Sequence, residues 1–197
     1  MNIRVKREDL LKQLGYKQLP QPRLLGMVDE MLRLLVNLIE PKLAFKEIED
    51  RKDLPPFFIG SALNYIGAAT IGPRLENKVK DLFDEAQGAE AYILDTAGSI
   101  AVTKAGNTLW NEIGQDAAAK GFKKGLRRTP GCQGVDMETQ RWIFAELANF
   151  DLGIKLTGSC MMFPRKSLSF LTRFGGKLKT TFSCKDCQQY FDCSLRG

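Results

Sequence analysis

Three stretches of this chain bring together residue types that bind or react. The first is Arg127-Arg128-Thr129-Pro130-Gly131-Cys132. An arginine beside a Pro-Gly turn offers a planar fork of donors next to bare main chain. The fork suits a carboxylate or a phosphate, and glycine lets a ligand approach the backbone. Pro-Gly turns flanked by arginine are common, so spacing alone equally fits an ordinary surface turn. The second stretch runs from Gly153 through Lys155-Leu156-Thr157-Gly158-Ser159-Cys160 and Met161-Met162-Phe163-Pro164 to Ser167 and Ser169. By pattern it reads as a β-hairpin with its apolar residues packed inward. The third is Cys184-Lys185-Asp186-Cys187, followed by Cys193 and Arg196. Two thiolates at C-x2-C spacing can chelate one metal, and a third completes most of a zinc or iron–sulfur site. Cys160, Cys132, an external ligand or nothing would stand fourth. The same pair also fits a redox dithiol, or free thiols in a tail.

What the chain lacks narrows the chemistry further. It contains no histidine. Ser-His-Asp and Cys-His catalysis are excluded, as are any histidine metal ligand and any corrinoid carrier that supplies histidine to cobalt. No G-x-G-x-x-G follows a strand, and no P-loop pattern occurs. No pair of carboxylates stands out from ordinary surface charge.

The elements that must position these residues belong to a chain of 197 residues, 44% hydrophobic and 26% charged. That length favours one domain, here residues 1–197 with 184–197 as a cysteine-containing tail. The N-terminus is charged at once, so no signal peptide is expected. The longest uncharged stretch, Pro55 to Pro73, carries three glycines and reads as strand and turn, not as a membrane helix. A cytoplasmic location with reduced thiols is expected. Of the net charge of +6, the excess lies in residues 120–197, which hold 14 Lys and Arg against 6 Asp and Glu. A basic half invites an anionic ligand, an acidic partner or nucleic acid. With 9% aromatic residues and no interleaving of basic and aromatic positions, nucleic acid ranks last.

Periodicity predicts a short strand over Ile3–Val5 and a helix from Glu8 to about Leu14. A clear amphipathic helix follows over Arg23–Glu40, with Leu24, Leu25, Val28, Met31, Leu32, Leu35 and Ile39 on one stripe. Leu43–Ile48 reads as a strand and Phe57–Ile71 as one or two. Helices are predicted over Arg74–Ala86, with Phe83 and Ala86 inward, and from Ala89 to about Ile113. The small-sided middle of the latter, Ala97-Gly98-Ser99-Ile100-Ala101, implies close approach of another element. Gly121–Gln133 reads as a basic, turn-rich connection. Asp136 reads as the cap of a helix over Met137–Phe150. Strands are predicted over Ile154–Thr157, Met161–Phe163 and Ser167–Thr172. Late hairpin-length gaps favour an α+β fold over a doubly wound sheet.

Taken together, Arg127 to Gly131, the helix holding Gln140 and Trp142, Gly153 to Thr157, and Met162-Phe163-Pro164 with Ser167 and Ser169 resemble, in order and spacing, the activation domain of cobalamin-dependent methionine synthase. Leu94-Asp95-Thr96-Ala97-Gly98-Ser99, Ala69-Thr70-Ile71-Gly72 and the cysteine-rich tail resemble small stand-alone relatives. The chain departs from the family where Cys132 replaces the tyrosine after Pro-Gly and Gly158 the acidic residue after Lys-Leu-Thr. The family's later tyrosine-bearing strand has its nearest position at Leu178–Thr181.

The resemblance implies a twisted, largely antiparallel sheet with packed helices. It also implies binding of S-adenosylmethionine, with Arg127 on its carboxylate and Thr129, Pro130, Gly131 and Cys132 around it. Cobalamin would be carried only by the partner, a corrinoid methyltransferase or a methionine synthase lacking its own activation domain. A flavodoxin-like or ferredoxin-like protein would supply the electron that returns cob(II)alamin to cob(I)alamin before methylation. Lys123, Lys124 and Arg128 are candidates to meet that acidic partner. The alternative is a metal- or iron–sulfur-bearing electron-transfer or sensor module of the same fold, held by Cys184, Cys187 and Cys193. Elemental analysis and a visible spectrum of anaerobically purified protein test that alternative. It requires stoichiometric zinc or a cluster chromophore, and a colourless, metal-free protein removes it.

Overall fold

The computed structural model describes residues 3–123, 125–132 and 134–175. Lys124, Leu178–Thr181 and the three tail cysteines Cys184, Cys187 and Cys193 lie outside them. The chain is an α+β protein. Helices α1 (Arg7–Gln13) and α2 (Pro22–Leu38) precede strand β1 (Lys42–Ile48), a 3-10 turn at Pro56–Phe58 and strand β2 (Leu63–Thr70). Helices α3 (Arg74–Asp84) and α4 (Gly88–Ala119) follow, then β3 (Gly125–Arg128), α5 (Thr139–Glu146), β4 (Lys155–Leu156), β5 (Met162–Phe163) and β6 (Ser167–Phe174). Four strands form one antiparallel sheet in the order β1-β2-β6-β3, and β4 and β5 form a separate two-stranded hairpin.

β2 explains the layering. All eight of its residues are buried, so both faces of the sheet must be covered there. On one face Tyr65, Ala69, Phe170 and Phe174 join α1, α2, α3 and α4 in the larger core. On the other, Ala44, Ile66, Ala68 and Leu171 meet Ile143, Leu147 and Phe58. Ile3 and Val5 are buried in the larger core. They do so as extended chain without a strand partner, so the predicted first strand is absent.

α4 runs for 32 residues, well past the predicted Ile113, because its apolar stripe continues through Ile113 to Ala117. Its small residues meet the close neighbours their size implies. A methyl group at Gly98 would lie 2.9 Å from the Leu75 side chain, and one at Gly106 would lie 2.5 Å from Leu168. Phe83, by contrast, is exposed, as is Ala86. Within α3, Phe83 stands at the margin of the stripe set by the buried Leu75, Val79 and Leu82, and the helix ends at Asp84, before Ala86. No described helix is long and apolar enough to cross a membrane.

Two further boundaries differ from the sequence pattern. Residues 125–128 form β3 at the sheet edge instead of turn, because the pairing partner β6 lies some 45 residues away and leaves no local signature. The helix at 137–150 contracts to Thr139–Glu146. Asp136 accepts a bond from the Glu138 N–H (3.0 Å) in the turn before it, and tight turns carry the chain from Leu147 to Phe150.

β3 is packed tightly against β6. A methyl group at Gly125 would lie 2.5, 2.8 and 2.9 Å from three atoms of the Phe174 ring, which is itself packed against Trp110 and Tyr65. Overpacking of that kind costs about 1–3 kcal/mol. Gly125→Ala should therefore lower the melting temperature by about 2–4 °C per kcal/mol in a chain of this size, measured by calorimetry. An unchanged or raised midpoint would show that Phe174 is free to move.

Candidate functional site

Antiparallel pairing sets Arg127 directly opposite Thr172, so the Arg127 side chain points to the α4 face of the sheet. There its guanidinium lies over the rings of Trp110 (5.5 Å) and Phe170 (5.3 Å). Trp110 in turn stacks on Phe174, with ring centroids 6.2 Å apart and 13° between planes. Among the described residues, the Arg127 side chain has no hydrogen bond and no carboxylate partner. The residue is exposed overall, yet the rings strip water from one side of the head group, and that burial lowers its pKa. Arginine stays protonated at any physiological pH. The result is an exposed, permanently charged fork whose hydrogen-bonding capacity is unused among the described residues.

Arg128 points to the other face. It donates to the Arg127 carbonyl (3.1 Å), and burial together with the positive charge of Arg173 lowers its pKa. Arg173 donates to the Phe57 carbonyl (2.8 Å) and lies over the Phe57 ring. After Arg128 the chain turns at Gly131, which adopts a left-handed φ of 77°. The Gly131 N–H donates to the Val135 carbonyl (2.9 Å), and the Cys132 N–H donates to the Thr129 carbonyl (3.1 Å). Both N–H groups are thus taken by the loop itself. Pro130 is buried, Thr129 half-buried and Cys132 an exposed free thiol.

Beneath Pro130 lies a cleft of about 290 Å3, lined among others by Met137, Gln140, Cys160, Met161 and Arg165. That volume is at the small end for ligand pockets, enough for part of a molecule. Gln140 anchors it. Its Nε2 donates to the Cys160 carbonyl (2.8 Å), and its Oε1 accepts from the Ser169 hydroxyl (2.8 Å). Cys160 itself sits at φ 62° in the turn between β4 and β5. Thr157 closes that turn through its backbone to Met161 and through its hydroxyl to the Met161 N–H. The Ser167 hydroxyl donates to the Pro164 carbonyl (2.7 Å) and accepts from the Thr70 hydroxyl (2.9 Å), holding β6 to β2 at this end of the sheet.

The structure thus gathers Thr129, Pro130, Gly131 and Cys132 into one loop beside Arg127. Two functional-looking residues carry signals the pattern reading passed over. Trp110 on a long apolar helix looks like ordinary core. Gln140 is the polar member of the stripe Gln140-Ile143-Leu147, and a polar residue on a buried stripe demands partners. As for metal, among the described residues no group of three His, Cys, Asp or Glu is placed to hold an ion. Cys160 is a poor candidate ligand because burial pushes its thiol pKa up and disfavours the thiolate.

The architecture has a solved counterpart. It is similar to the crystal structure of the MetH reactivation domain bound to AdoHcy, with a TM-score of 0.62 over 89% of this chain and 78% of that chain. The chain has the fold of the MetH reactivation domain. Sequence identity between the two is 13%, so the likeness is one of fold. No protein-family profile and no curated protein matches the sequence.

Removing Gln140 would leave the Ser169 hydroxyl and the Cys160 carbonyl buried without their partner. Each such group costs about 1–3 kcal/mol. Gln140→Leu is expected to destabilise the protein by about 2–4 kcal/mol in denaturant titration and to speed amide exchange over residues 157–163. Unchanged protection there would show that the hairpin is held by other contacts.

Proposed function

We propose that this chain is a stand-alone relative of the methionine synthase activation domain. It would bind S-adenosylmethionine and serve the reductive reactivation of a corrinoid-dependent methyltransferase, as a single domain acting in the cytoplasm. The observation that carries this reading is the guanidinium of Arg127, without a hydrogen-bond or carboxylate partner among the described residues, at the first position of an Arg-x-x-x-Gly segment, in a fold shared with a domain solved with AdoHcy. The donor set fits the ligand. A carboxylate is matched by the Arg127 fork.

On this reading the ligand supplies a sulfonium methyl group, and the partner's cobalamin receives it. The chain binds and orients, and no side chain need gain or lose a proton. The absence of histidine is compatible with that division of labour. Cys132, where relatives carry tyrosine, removes one ring contact from the same loop and would weaken binding without touching the Arg127 fork. The partner is a corrinoid methyltransferase or a methionine synthase that lacks an activation domain. Arg165 and Lys123, both exposed, are available to meet its acidic surface or that of a flavodoxin-like or ferredoxin-like donor.

Calorimetric titration of S-adenosylmethionine into the reduced protein tests the reading. We expect micromolar affinity and a loss of about ten- to a hundred-fold in Arg127→Ala, the range for one charge-assisted contact. With a matched methyltransferase oxidised to cob(II)alamin, added protein and a reductant should restore turnover. Absence of both binding and stimulation would overturn the assignment and leave the fold untouched.

A further inference from the structure

We infer that Trp110 is a positioning residue for Arg127: it holds the guanidinium against a fixed ring stack so that its donor edge stays outward and open to a carboxylate. The inference rests on the ligand proposed above. A guanidinium carries all its N–H groups in its own plane, while its faces are weakly hydrated and pack well on rings. Arg127 lies over two rings at 5.5 and 5.3 Å, so its plane is constrained and its donors are left to the edge.

The rings are themselves fixed. Trp110 stacks on Phe174 (6.2 Å, 13°), and Phe174 meets the edge of Tyr65 (5.9 Å, 86°), which is fully buried. The absent side chain of Gly125 gives Phe174 its place, since a methyl group there would come within 2.5 Å of the ring. Tyr65, Phe174 and Trp110 therefore form a chain of contacts from the core to the arginine. The rotamer freedom of a long side chain is lost before any ligand arrives, so binding does not lose it again.

The chain has two tryptophans, Trp110 and Trp142. In a Trp142→Phe background, Trp110 is the sole indole, and its emission reports whether a cation lies over it. Arg127→Gln in that background is expected to shift the emission without ligand, and no shift would overturn the inference. In the otherwise intact chain, Trp110→Phe keeps a ring and should bind S-adenosylmethionine within about three-fold of the parent. Trp110→Leu keeps apolar bulk without a ring and should bind at least about ten-fold more weakly. Circular dichroism would confirm that both remain folded. Equal affinity in parent and Trp110→Leu, or equal weakening in both variants, would overturn the positioning role in favour of plain packing. A parent that does not bind S-adenosylmethionine, together with a clear emission shift, would remove the ligand and leave the ring-held arginine in place.

Discussion

The face that α4 turns to the rest of the molecule is made largely of alanine and glycine, and the architecture is arranged around the close approach this permits. Ala97, Ala101 and Ala105 are fully buried, Gly98 receives Leu75 from α3, and Gly106 receives Leu168 from β6. The sheet reciprocates at Gly67, where a methyl group would lie 3.0 Å from Leu109 and 3.1 Å from Phe170. Glycine inside a helix or strand costs conformational entropy, so these positions are stable only because tight packing returns more. The large residues appear where the seam widens. Leu109, Trp110 and Ile113 meet Tyr65, Phe170 and Phe174 toward the end of the sheet that carries β3. The small stripe thereby sets where the ring stack stands, and the ring stack sets where Arg127 lies.

The second organising element is β6. Its even-numbered residues, Phe170, Thr172 and Phe174, face α4 and frame Arg127, while Ser169 and Leu171 face α5 and frame the Gln140 cleft. One strand thus positions two unlike surfaces. One is cationic and ring-backed, and the other is lined by methionines around a hydrogen-bonded glutamine. The loop from Thr129 to Val135 leads from the first toward the second. Met137 and Met161 are exposed beside the cleft, and thioether side chains adapt to partners of varied shape.

How far the sequence disclosed this differs from element to element. Amphipathic α2 and α3 were legible because a solvated face opposite a buried one leaves a 3.6-residue period. The close approach at Gly98 was legible because glycine in a helix interior needs a reason. The edge strand 125–128 was not, since its pairing lies in β6 and a four-residue strand rich in arginine has no apolar alternation. Phe83 misled because an aromatic at helical spacing usually turns inward, and here it stands at the margin of the stripe set by Leu75, Val79 and Leu82 and stays exposed. At the site, the grouping of Arg127 with Thr129, Pro130, Gly131 and Cys132 follows from their being neighbours in the chain. The aromatic support under Arg127 comes from residues 17 positions before it and 43 after it, and no local pattern could announce it.

The pairing of β2 with β6 joins residues 63–70 to residues 167–174. Everything between them, including α4 and β3, is inserted into a loop that this one ladder closes. Closing a loop of that length must precede the reward from the contacts it makes, which places the centre of the sheet among the slower steps of assembly. A growing chain can form α1 to α4 and the β1–β2 ladder early. Arg127 acquires its sheet neighbour and the rings of Phe170 and Phe174 only once β6 has docked. The ring-backed position of Arg127 is therefore acquired only when β6 has docked, and a nascent or truncated product stopping before residue 174 does not present it.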